Sequence, residues 1–154
     1  MTEDSFEKTL IILGTARSDS YTLNALINLA SFNSPEIIEL HKLKISPYNY
    51  SQPAKDDFLQ IAEKMTQADV IVFATPVYWY SMSGFLKVFF DRLTDLISTS
   101  KNVGRGLAGK KVYLFATGSD AQLPEGFEVP FIKTSEYFNM KYQRAFYICT
   151  ADKK

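Results

Sequence analysis

The sequence predicts a doubly wound α/β fold, in which a five-stranded parallel sheet carries helices on both faces. Two observations lead to this prediction: strand-like and helix-like stretches alternate five times along the chain, and the strand-like stretches include apolar runs without polar alternation. Such runs are typical of strands buried on both faces, and alternation with helices is typical of a parallel sheet. The length of 154 residues suits a single domain over residues 1–154.

The individual elements follow from apolar spacing and from turn residues. The predicted strands are the runs at residues 8–14, 36–43, 69–75, 111–117 and 142–149. The predicted helices have apolar residues at helical spacing over residues 23–30, 56–67, 86–97 and 129–140. Ser20 or Thr22 can cap the first helix, and Pro130 is tolerated in the first turn of the last one. Residues 44–55 lack a helical period and residues 98–109 are rich in serine, glycine and charge, so both are predicted as loops.

The topology of the sheet indicates where a ligand would bind. Right-handed crossovers leave few arrangements of five parallel strands, and at this length the commonest order is 2-1-3-4-5, that of a flavodoxin-like sheet. Ligands of such sheets bind beyond the carboxyl ends of the strands, where the strand order reverses. The predicted site therefore consists of the loops after strands one, three and four, which span residues 14–22, 75–83 and 117–124.

Composition excludes several classes of protein. Lysine plus arginine and aspartate plus glutamate number 17 each, so the basic excess expected of a binder of nucleic acid or anionic membrane is missing. A single cysteine, Cys149, excludes a disulfide, a four-cysteine zinc site and a cysteine-ligated cluster within one chain, and no metal is predicted. No apolar run approaches the roughly 20 residues that span a bilayer. Residues 1–8 are polar and do not resemble a signal peptide, so we expect a cytoplasmic location.

The loop after the first strand is suited to a phosphate group. Thr15, Ser18, Ser20 and Thr22 bear hydroxyls that can donate to phosphate oxygens, and Arg17 can add a charge-assisted contact. The helix that follows offers unpaired N–H groups at its N-terminus. An ordinary helix cap in a polar loop explains the same residues equally well, so this loop alone leaves both interpretations open.

Two better-known phosphate-binding loops are absent. Only Gly14 follows the first strand, so the three-glycine dinucleotide pattern is not present. Residues 104–111 nearly match the pattern of a nucleotide-binding P-loop, but Lys111 occupies the position of the magnesium-binding serine or threonine. That segment also leads into a strand instead of following one, and it is interpreted as a solvated loop.

The loop after the third strand contains the aromatic residues Tyr78, Trp79 and Tyr80 in succession. Three large aromatic side chains would not normally be left on a surface loop. Their flat apolar faces and polar tips suit a planar heteroaromatic ligand such as a flavin. Pro76 stiffens the turn, and backbone N–H groups beyond it can reach the polar edge of such a ring. A subunit interface also favours tyrosine and tryptophan, and both interpretations can hold together.

Residues 74–92, Ala-Thr-Pro-Val-Tyr-Trp-Tyr-Ser-Met-Ser-Gly-Phe-Leu-Lys-Val-Phe-Phe-Asp-Arg, resemble a signature of the NAD(P)H-dependent FMN reductase and quinone reductase superfamily. Residues 14–23 are similar to the phosphate loop of that family, through Gly14, Thr15, Arg17, Ser20, Thr22 and Leu23. Asp56, Asp57 and Asp69 match as well. The resemblance covers essentially the whole chain, with two separate motifs in the correct order.

The resemblance implies an FMN cofactor and NAD(P)H as co-substrate. The FMN phosphate would be held by Thr15, Arg17, Ser18, Ser20, Thr22 and Leu23. The isoalloxazine ring would be lined by Pro76, Val77, Tyr78, Trp79 and Tyr80. A third side would be formed by Thr117, Gly118, Ser119 and Asp120. Lys87, Asp91 and Arg92 are interpreted as structural residues, in a salt bridge or an interface contact.

The implied activity is hydride transfer from NAD(P)H through the flavin to a small acceptor such as a quinone or free flavin. No acid–base residue is required by that scheme, and His41 is interpreted as structural or solvated and distant from the site. The iron–sulfur branch of the superfamily has a cysteine cluster where residues 45–54 contain no cysteine, so a flavin-only protein is expected. The resemblance also implies a homodimer.

Other functions explain fewer of these residues. A response-regulator receiver has the same topology but needs acidic residues where this chain has Gly14-Thr15 and Thr75-Pro76. A hydrolase is disfavoured because no nucleophile elbow and no evident Ser–His pair occur. A flavin-binding electron carrier or sensor stays open, although a neutral net charge does not suit an electron carrier. A flavin-free interaction module of the same fold also stays open.

Overall fold

Five strands form one sheet in which every pairing is parallel, in the order β2-β1-β3-β4-β5. The computed structural model describes residues 7–29, 34–51 and 55–151. The strands are β1 (Thr9–Leu13), β2 (Glu36–Glu39), β3 (Val70–Pro76), β4 (Lys111–Gly118) and β5 (Lys141–Cys149). The helices are α1 (Tyr21–Leu29), α2 (Phe58–Gln67), α3 (Gly84–Arg92), α4 (Asp95–Ser98), α5 (Lys101–Arg105) and α6 (Val129–Tyr137). The predicted fold class and strand order are therefore confirmed.

Side chains along the central strands alternate between two buried faces of the sheet. In β1, Leu10 and Ile12 join the larger core, to which α2, α3 and α6 also contribute. Ile11 and Leu13 join the smaller core on the opposite face, together with Leu26 of α1. Because both faces are covered, each of the four positions from Leu10 to Leu13 holds an apolar residue. Double burial thus explains the uninterrupted apolar run from which β1 was predicted.

The second strand is shorter than predicted. It ends at Glu39 and is followed by a 3₁₀ turn over Leu40–Lys42, whereas the apolar pattern predicted a strand as far as Leu43. β2 lies at the edge of the sheet, and its last paired residue, Glu39, stands opposite Leu13, the last residue of β1. Beyond Leu13 the partner strand has ended, so the ladder cannot continue and the chain turns.

Two predictions for residues 86–109 are also corrected. The predicted helix over residues 86–97 is divided into α3 and α4, and α5 forms within the segment predicted as a loop. Gly104 of α5 packs directly on the backbone of α4, since a Cβ placed there would lie 2.3 Å from the carbonyl oxygen of Leu96. The helix has a low intrinsic propensity and forms in contact with α4, and composition alone does not reveal this contact.

Some predictions lie outside the described residues, namely the extension of the first helix to Ala30 and the character of residues 1–6. Within the described ranges, no helix is long and apolar enough to cross a membrane. The same ranges contain no group of three or more His, Cys, Asp or Glu side chains arranged to hold a metal ion.

Candidate cofactor site at the carboxyl edge of the sheet

A cavity of about 320 Å³ opens at the carboxyl ends of β1, β3 and β4. Its walls come from all three predicted loops, because parallel strands end at one edge of the sheet. The lining residues are Thr15, Ala16, Arg17, Ser20, Tyr21, Thr22, Pro76, Val77, Tyr78, Thr117, Gly118, Ser119 and Thr150. The volume lies in the range of small-molecule and cofactor sites.

The loop between β1 and α1 is held by its own hydroxyl groups. Thr15 Oγ1 donates to the carbonyl of Arg17 over 3.0 Å, and Ser20 Oγ accepts from the N–H of Leu23 over 3.1 Å. The second bond caps the N-terminus of α1, as predicted. Because Ser20 uses only an acceptor lone pair there, its O–H proton can still be donated to an anion in the cavity. The partial positive charge of the α1 N-terminus favours such an anion.

The floor of the cavity contains a buried hydroxyl pair. The side-chain oxygens of Thr22 and Thr117 lie 2.6 Å apart, and both residues are almost fully buried. This hydrogen bond joins the first turn of α1 to the end of β4. It places the phosphate-loop side and the β4 side of the cavity in a fixed relationship.

Arg17 is the one charged side chain that lines the cavity within the described parts of the chain. Its Nε lies 3.4 Å from Oδ1 of Asp19, and both side chains are largely exposed. An exposed ion pair of this kind contributes little to stability. The guanidinium can therefore exchange Asp19 for a phosphate at small cost.

The aromatic loop after β3 is a tight turn with an unusual backbone. Tyr78 and Ser81 exchange two backbone hydrogen bonds of 3.0 and 3.1 Å, and the residues between them, Trp79 and Tyr80, have φ of 48° and 67°. These values define a type I′ turn, whose central positions normally hold asparagine and glycine. Large side chains at positive φ cost about 1–2 kcal/mol per residue, so the rest of the structure must hold the turn in place.

The same turn decides where the aromatic side chains lie. Trp79 is 92% exposed and Tyr80 is 68% exposed, contrary to the expectation that these rings would be covered. The central residues of a two-residue turn project away from the strand that precedes it, which explains their exposure. The N–H of Val77 donates to Thr117 and that of Tyr78 donates to Ser81, so these two groups are engaged within the protein.

Gly118 allows β4 to approach the aromatic loop closely. A Cβ at this position would lie 2.7 Å from the Tyr147 hydroxyl and 3.2 Å from Cβ of Val77. Any side chain would therefore collide with the wall of the cavity. The glycine thus lets the end of β4 pack closely against Val77 and Tyr147.

Ten of the predicted site residues line the cavity: Thr15, Arg17, Ser20, Thr22, Pro76, Val77, Tyr78, Thr117, Gly118 and Ser119. The other five lie beside it: Ser18, Leu23, Trp79, Tyr80 and Asp120. Leu23 packs against the smaller core, and the Asp120 carbonyl accepts a hydrogen bond of 2.8 Å from the Tyr147 hydroxyl. Their roles toward a ligand stay predictions.

Sequence reasoning missed three lining residues, Ala16, Tyr21 and Thr150. Ala16 and Tyr21 lie within the predicted phosphate loop, but their side chains gave no chemical signal. Thr150 follows β5, and its backbone N–H donates to the carbonyl of Gly118 over 2.7 Å. The rule that ligands bind beyond the strand ends could have drawn attention to it.

The prediction that His41 lies away from the site is wrong. Its Nε2 lies 3.3 Å from Oγ of Ser18, in the phosphate loop. The 3₁₀ turn after β2 brings the histidine there. Its Nδ1 is buried without a hydrogen-bond partner among the described residues, so no third group orients this Ser–His pair as in a hydrolase.

The structural interpretation of Arg92 is confirmed. Its buried guanidinium donates to Oδ2 of Asp56 over 2.6 Å and to Asp95 over 2.9 Å. Burial opposes ionisation of Asp56, but hydrogen bonds from Arg92 and from the N–H groups of Ser46 and Phe58 outweigh it and lower the pKa of Asp56. Lys87 and Asp91 form an exposed ion pair on the same helix.

Comparison with known proteins places this architecture among flavin enzymes. Residues 8–148 match the family model described as NADPH-dependent FMN reductase. YwqN of Bacillus subtilis, which has the provisional name NAD(P)H-dependent FMN-containing oxidoreductase, is 30% identical over 139 residues, covering 84% of this chain and 76% of that protein. The general stress protein 14 of Treponema denticola, whose structure is a complex with FMN, is 25% identical with a TM-score of 0.67, covering 95% of this chain and 88% of that one.

A third similarity concerns the electron acceptor. An FMN-dependent NADH:quinone oxidoreductase of Burkholderia pseudomallei is 31% identical over 87 residues. The match covers 53% of this chain and 43% of that protein, so it spans less than half of the longer enzyme.

Proposed function

This chain belongs to the NADPH-dependent FMN reductase family and is an FMN-dependent NAD(P)H oxidoreductase, and we propose that the cavity at the carboxyl edge of its sheet is the FMN site. The observation that supports this site is the meeting of two chemically different walls. One wall has the hydroxyls of Thr15, Ser20 and Thr22 at a helix N-terminus. The other has the apolar surface of Val77 and the ring of Tyr78.

These walls fit the two ends of FMN. The phosphate would take the O–H of Ser20, the guanidinium of Arg17 and the N-terminus of α1, which together supply donors and positive charge. The isoalloxazine ring would lie toward residues 76–80 and 117–120, where Val77, Tyr78 and Gly118 line the cavity. Ser18 and Leu23, which do not line the cavity, would lie on the phosphate side of the site.

When bound, FMN accepts electrons from NAD(P)H and passes them to an acceptor, and the protein supplies binding and orientation. We infer a small-molecule acceptor such as a quinone or free flavin, which is supported by the quinone reductase among the relatives. A homodimer is part of the proposal, supported by the exposed rings of Trp79 and Tyr80 in the aromatic loop and of Phe85 at the start of α3. A cytoplasmic location stays a prediction.

The decisive experiment is an anaerobic visible spectrum of the purified protein. We expect a yellow protein whose flavin bands bleach on addition of NADPH or NADH and return when a quinone is added. A protein that stays colourless in excess FMN would overturn the proposed site. If the flavin binds but stays oxidised with both nucleotides, the protein is a flavin-binding carrier or sensor. Analytical ultracentrifugation of the same sample tests the dimer.

A further inference from the structure

A second, apolar groove lies directly beside the proposed FMN cavity. It has a volume of about 450 Å³ and is formed by the 3₁₀ turn after β2, the segment that follows it and the N-terminal half of α3. Its lining residues are Ala16, Leu40, Leu43, Ile45, Pro47, Tyr78, Ser83, Gly84, Phe85 and Val88. Ala16 and Tyr78 also line the cofactor cavity, so the two spaces meet at these residues.

The chemistry of the groove differs from that of the cavity beside it. Among the residues that the structure describes, no charged side chain lines it, and its hydroxyl-bearing members are Tyr78 and Ser83. Ser83 is fully buried, and its Oγ accepts the N–H of Leu86 over 3.2 Å at the start of α3, so its hydroxyl is little accessible from the groove. A ligand in this groove would therefore be neutral and mainly apolar, with Tyr78 as the polar group at the end that faces the cofactor cavity.

The far wall of the groove is held rigidly in place. Both backbone groups of Ser46, which lies between the lining residues Ile45 and Pro47, are bound by buried ionic side chains. Its N–H donates to Asp56 over 2.8 Å, and its carbonyl accepts from Arg92 over 2.9 Å. The Arg92–Asp56 pair thus fixes a segment that has no regular secondary structure. A wall positioned in this way is a preformed site, which lowers the entropic cost of binding.

We propose that this groove binds the apolar substituent of the electron acceptor, so that the chain favours quinones bearing an alkyl or prenyl side chain over small unsubstituted ones. The proposal rests on the proposed function, since it assigns the acceptor of the same reaction. Two observations support it: the groove and the cofactor cavity share the wall formed by Ala16 and Tyr78, and no charged side chain of the described residues lines the groove.

Gly84 offers a specific way to block the groove. A Cβ at this lining position meets no atom within 4 Å, and the residue is at the first position of α3 with an ordinary backbone. The variant Gly84→Leu should therefore fold normally while its side chain occupies part of the groove. Lys87→Leu is the matched control, because it adds the same side chain one turn further on the same helix, at an exposed position that does not line the groove.

Binding is measured by calorimetry on the oxidised, FMN-loaded protein, so that no turnover occurs. The probes are tetramethyl-benzoquinone and the analogue in which one methyl is replaced by pentyl; both are fully substituted and cannot alkylate the exposed thiol of Cys149. Each fully buried methylene is worth about fourfold in affinity, from about 0.8 kcal/mol. We expect the wild type and Lys87→Leu to bind the pentyl analogue at least about tenfold more tightly than tetramethyl-benzoquinone. Gly84→Leu should bind the two quinones with affinities within about twofold of each other.

Three results would overturn the proposal. Equal affinity of the two quinones for the wild type would show that the groove takes no substituent. A weaker FMN affinity in Gly84→Leu would show that the groove belongs to the cofactor. A wild-type dimer that Gly84→Leu converts to monomer would show that a second copy fills it. If Gly84→Leu fails to fold, Leu43→Asp replaces it, because it introduces a charge at the exposed rim of the groove. The affinities of the two quinones are then compared in the same way.

The two proposals fail in distinguishable ways. If NAD(P)H does not bleach the flavin but the pentyl quinone still binds more tightly than the methyl quinone, the result counts against the proposed function alone. If NAD(P)H bleaches the flavin but the two quinones bind with equal affinity, the result counts against the groove alone.

Discussion

The side-chain oxygens of Thr22 and Thr117 lie 2.6 Å apart at the floor of the cofactor cavity, although 95 positions separate the residues in sequence. The bond joins α1 to β4 across the site. This hydrogen bond holds two walls of the cavity together in the FMN-free protein. Replacement of threonine by valine removes the bond and leaves the shape of the side chain nearly unchanged.

We expect Thr22→Val to lower the free energy of unfolding by about 1–2 kcal/mol, because the Thr117 hydroxyl is left buried without its partner. The double variant with Thr117→Val should recover part of that loss, since neither hydroxyl then remains unpaired. Urea unfolding of the FMN-free protein measures both. Thr99→Val, at an exposed position, is the control and should change stability little. Strictly additive losses in the double variant would contradict the coupling.

Arg17→Ala should weaken FMN binding about tenfold, the loss of one charge-assisted contact worth about 1.4 kcal/mol, and should leave riboflavin affinity nearly unchanged. The difference arises because only FMN has a phosphate for the guanidinium. Flavin fluorescence titration measures both affinities.

Two variants sharpen the Arg17 test. Asp19→Asn removes the competing carboxylate at 3.4 Å and should not weaken FMN. Arg105→Ala removes an exposed arginine that does not line the cavity and should have no effect. Equal losses for FMN and riboflavin in Arg17→Ala would show that the phosphate lies elsewhere.

Removal of the carboxylate in Asp56→Asn should cost about 3–5 kcal/mol at neutral pH, because Arg92 is left buried with an incomplete set of acceptors. The exposed ion pair of Lys87 and Asp91 on the same helix supplies the control, since Asp91→Asn should cost less than about 1 kcal/mol. Urea unfolding measures both variants. Similar small losses for the two would show that the buried pair does not stabilise the fold.

The same pair should make the protein sensitive to acid. The folded protein lowers the pKa of Asp56, so this carboxylate contributes stability above its unfolded pKa and loses it as pH falls through the folded value. We expect the unfolding free energy of the wild type to fall more steeply in this acidic range than that of Asp56→Asn. Parallel pH profiles of the two proteins would contradict the assignment.

The type I′ turn should be stabilised by the residues that such turns normally hold. Replacing Trp79 by Asn and Tyr80 by Gly relieves two positive-φ residues, at about 1–2 kcal/mol each. Because glycine loses more backbone entropy on folding, we expect a net gain of about 1–2 kcal/mol in unfolding free energy. Little burial is lost, because Trp79 is 92% exposed. FMN affinity or turnover should fall in the same variant if these rings cover the flavin. A loss of stability would show that the turn is not strained.

Much of the site could be predicted because its residues follow strand ends. The strand order and the right-handed crossovers bring the loops after β1, β3 and β4 to one edge, so Thr15, Pro76 and Gly118 could be assigned to one cavity from their places in the chain. The neighbourhood of His41 could not be assigned in this way. The position of His41 depends on the end of β2, which stops at Glu39 because its partner strand β1 ends at Leu13. Strand pairing sets this end, and the local sequence pattern does not reveal it.

The amino-acid sequence by itself determined the fold class, the strand order and the polar and aromatic loops at the site, because periodicity and loop composition are local properties. Only the tertiary structure decided which side chains reach the cavity. Trp79 and Tyr80 are exposed because they are the two central residues of a tight turn, and Thr22 bonds to Thr117 because the fold places α1 beside the end of β4. The apolar groove beside the site belongs to the same category, since residues from β1–α1, β2–α2 and β3–α3 must meet before it exists.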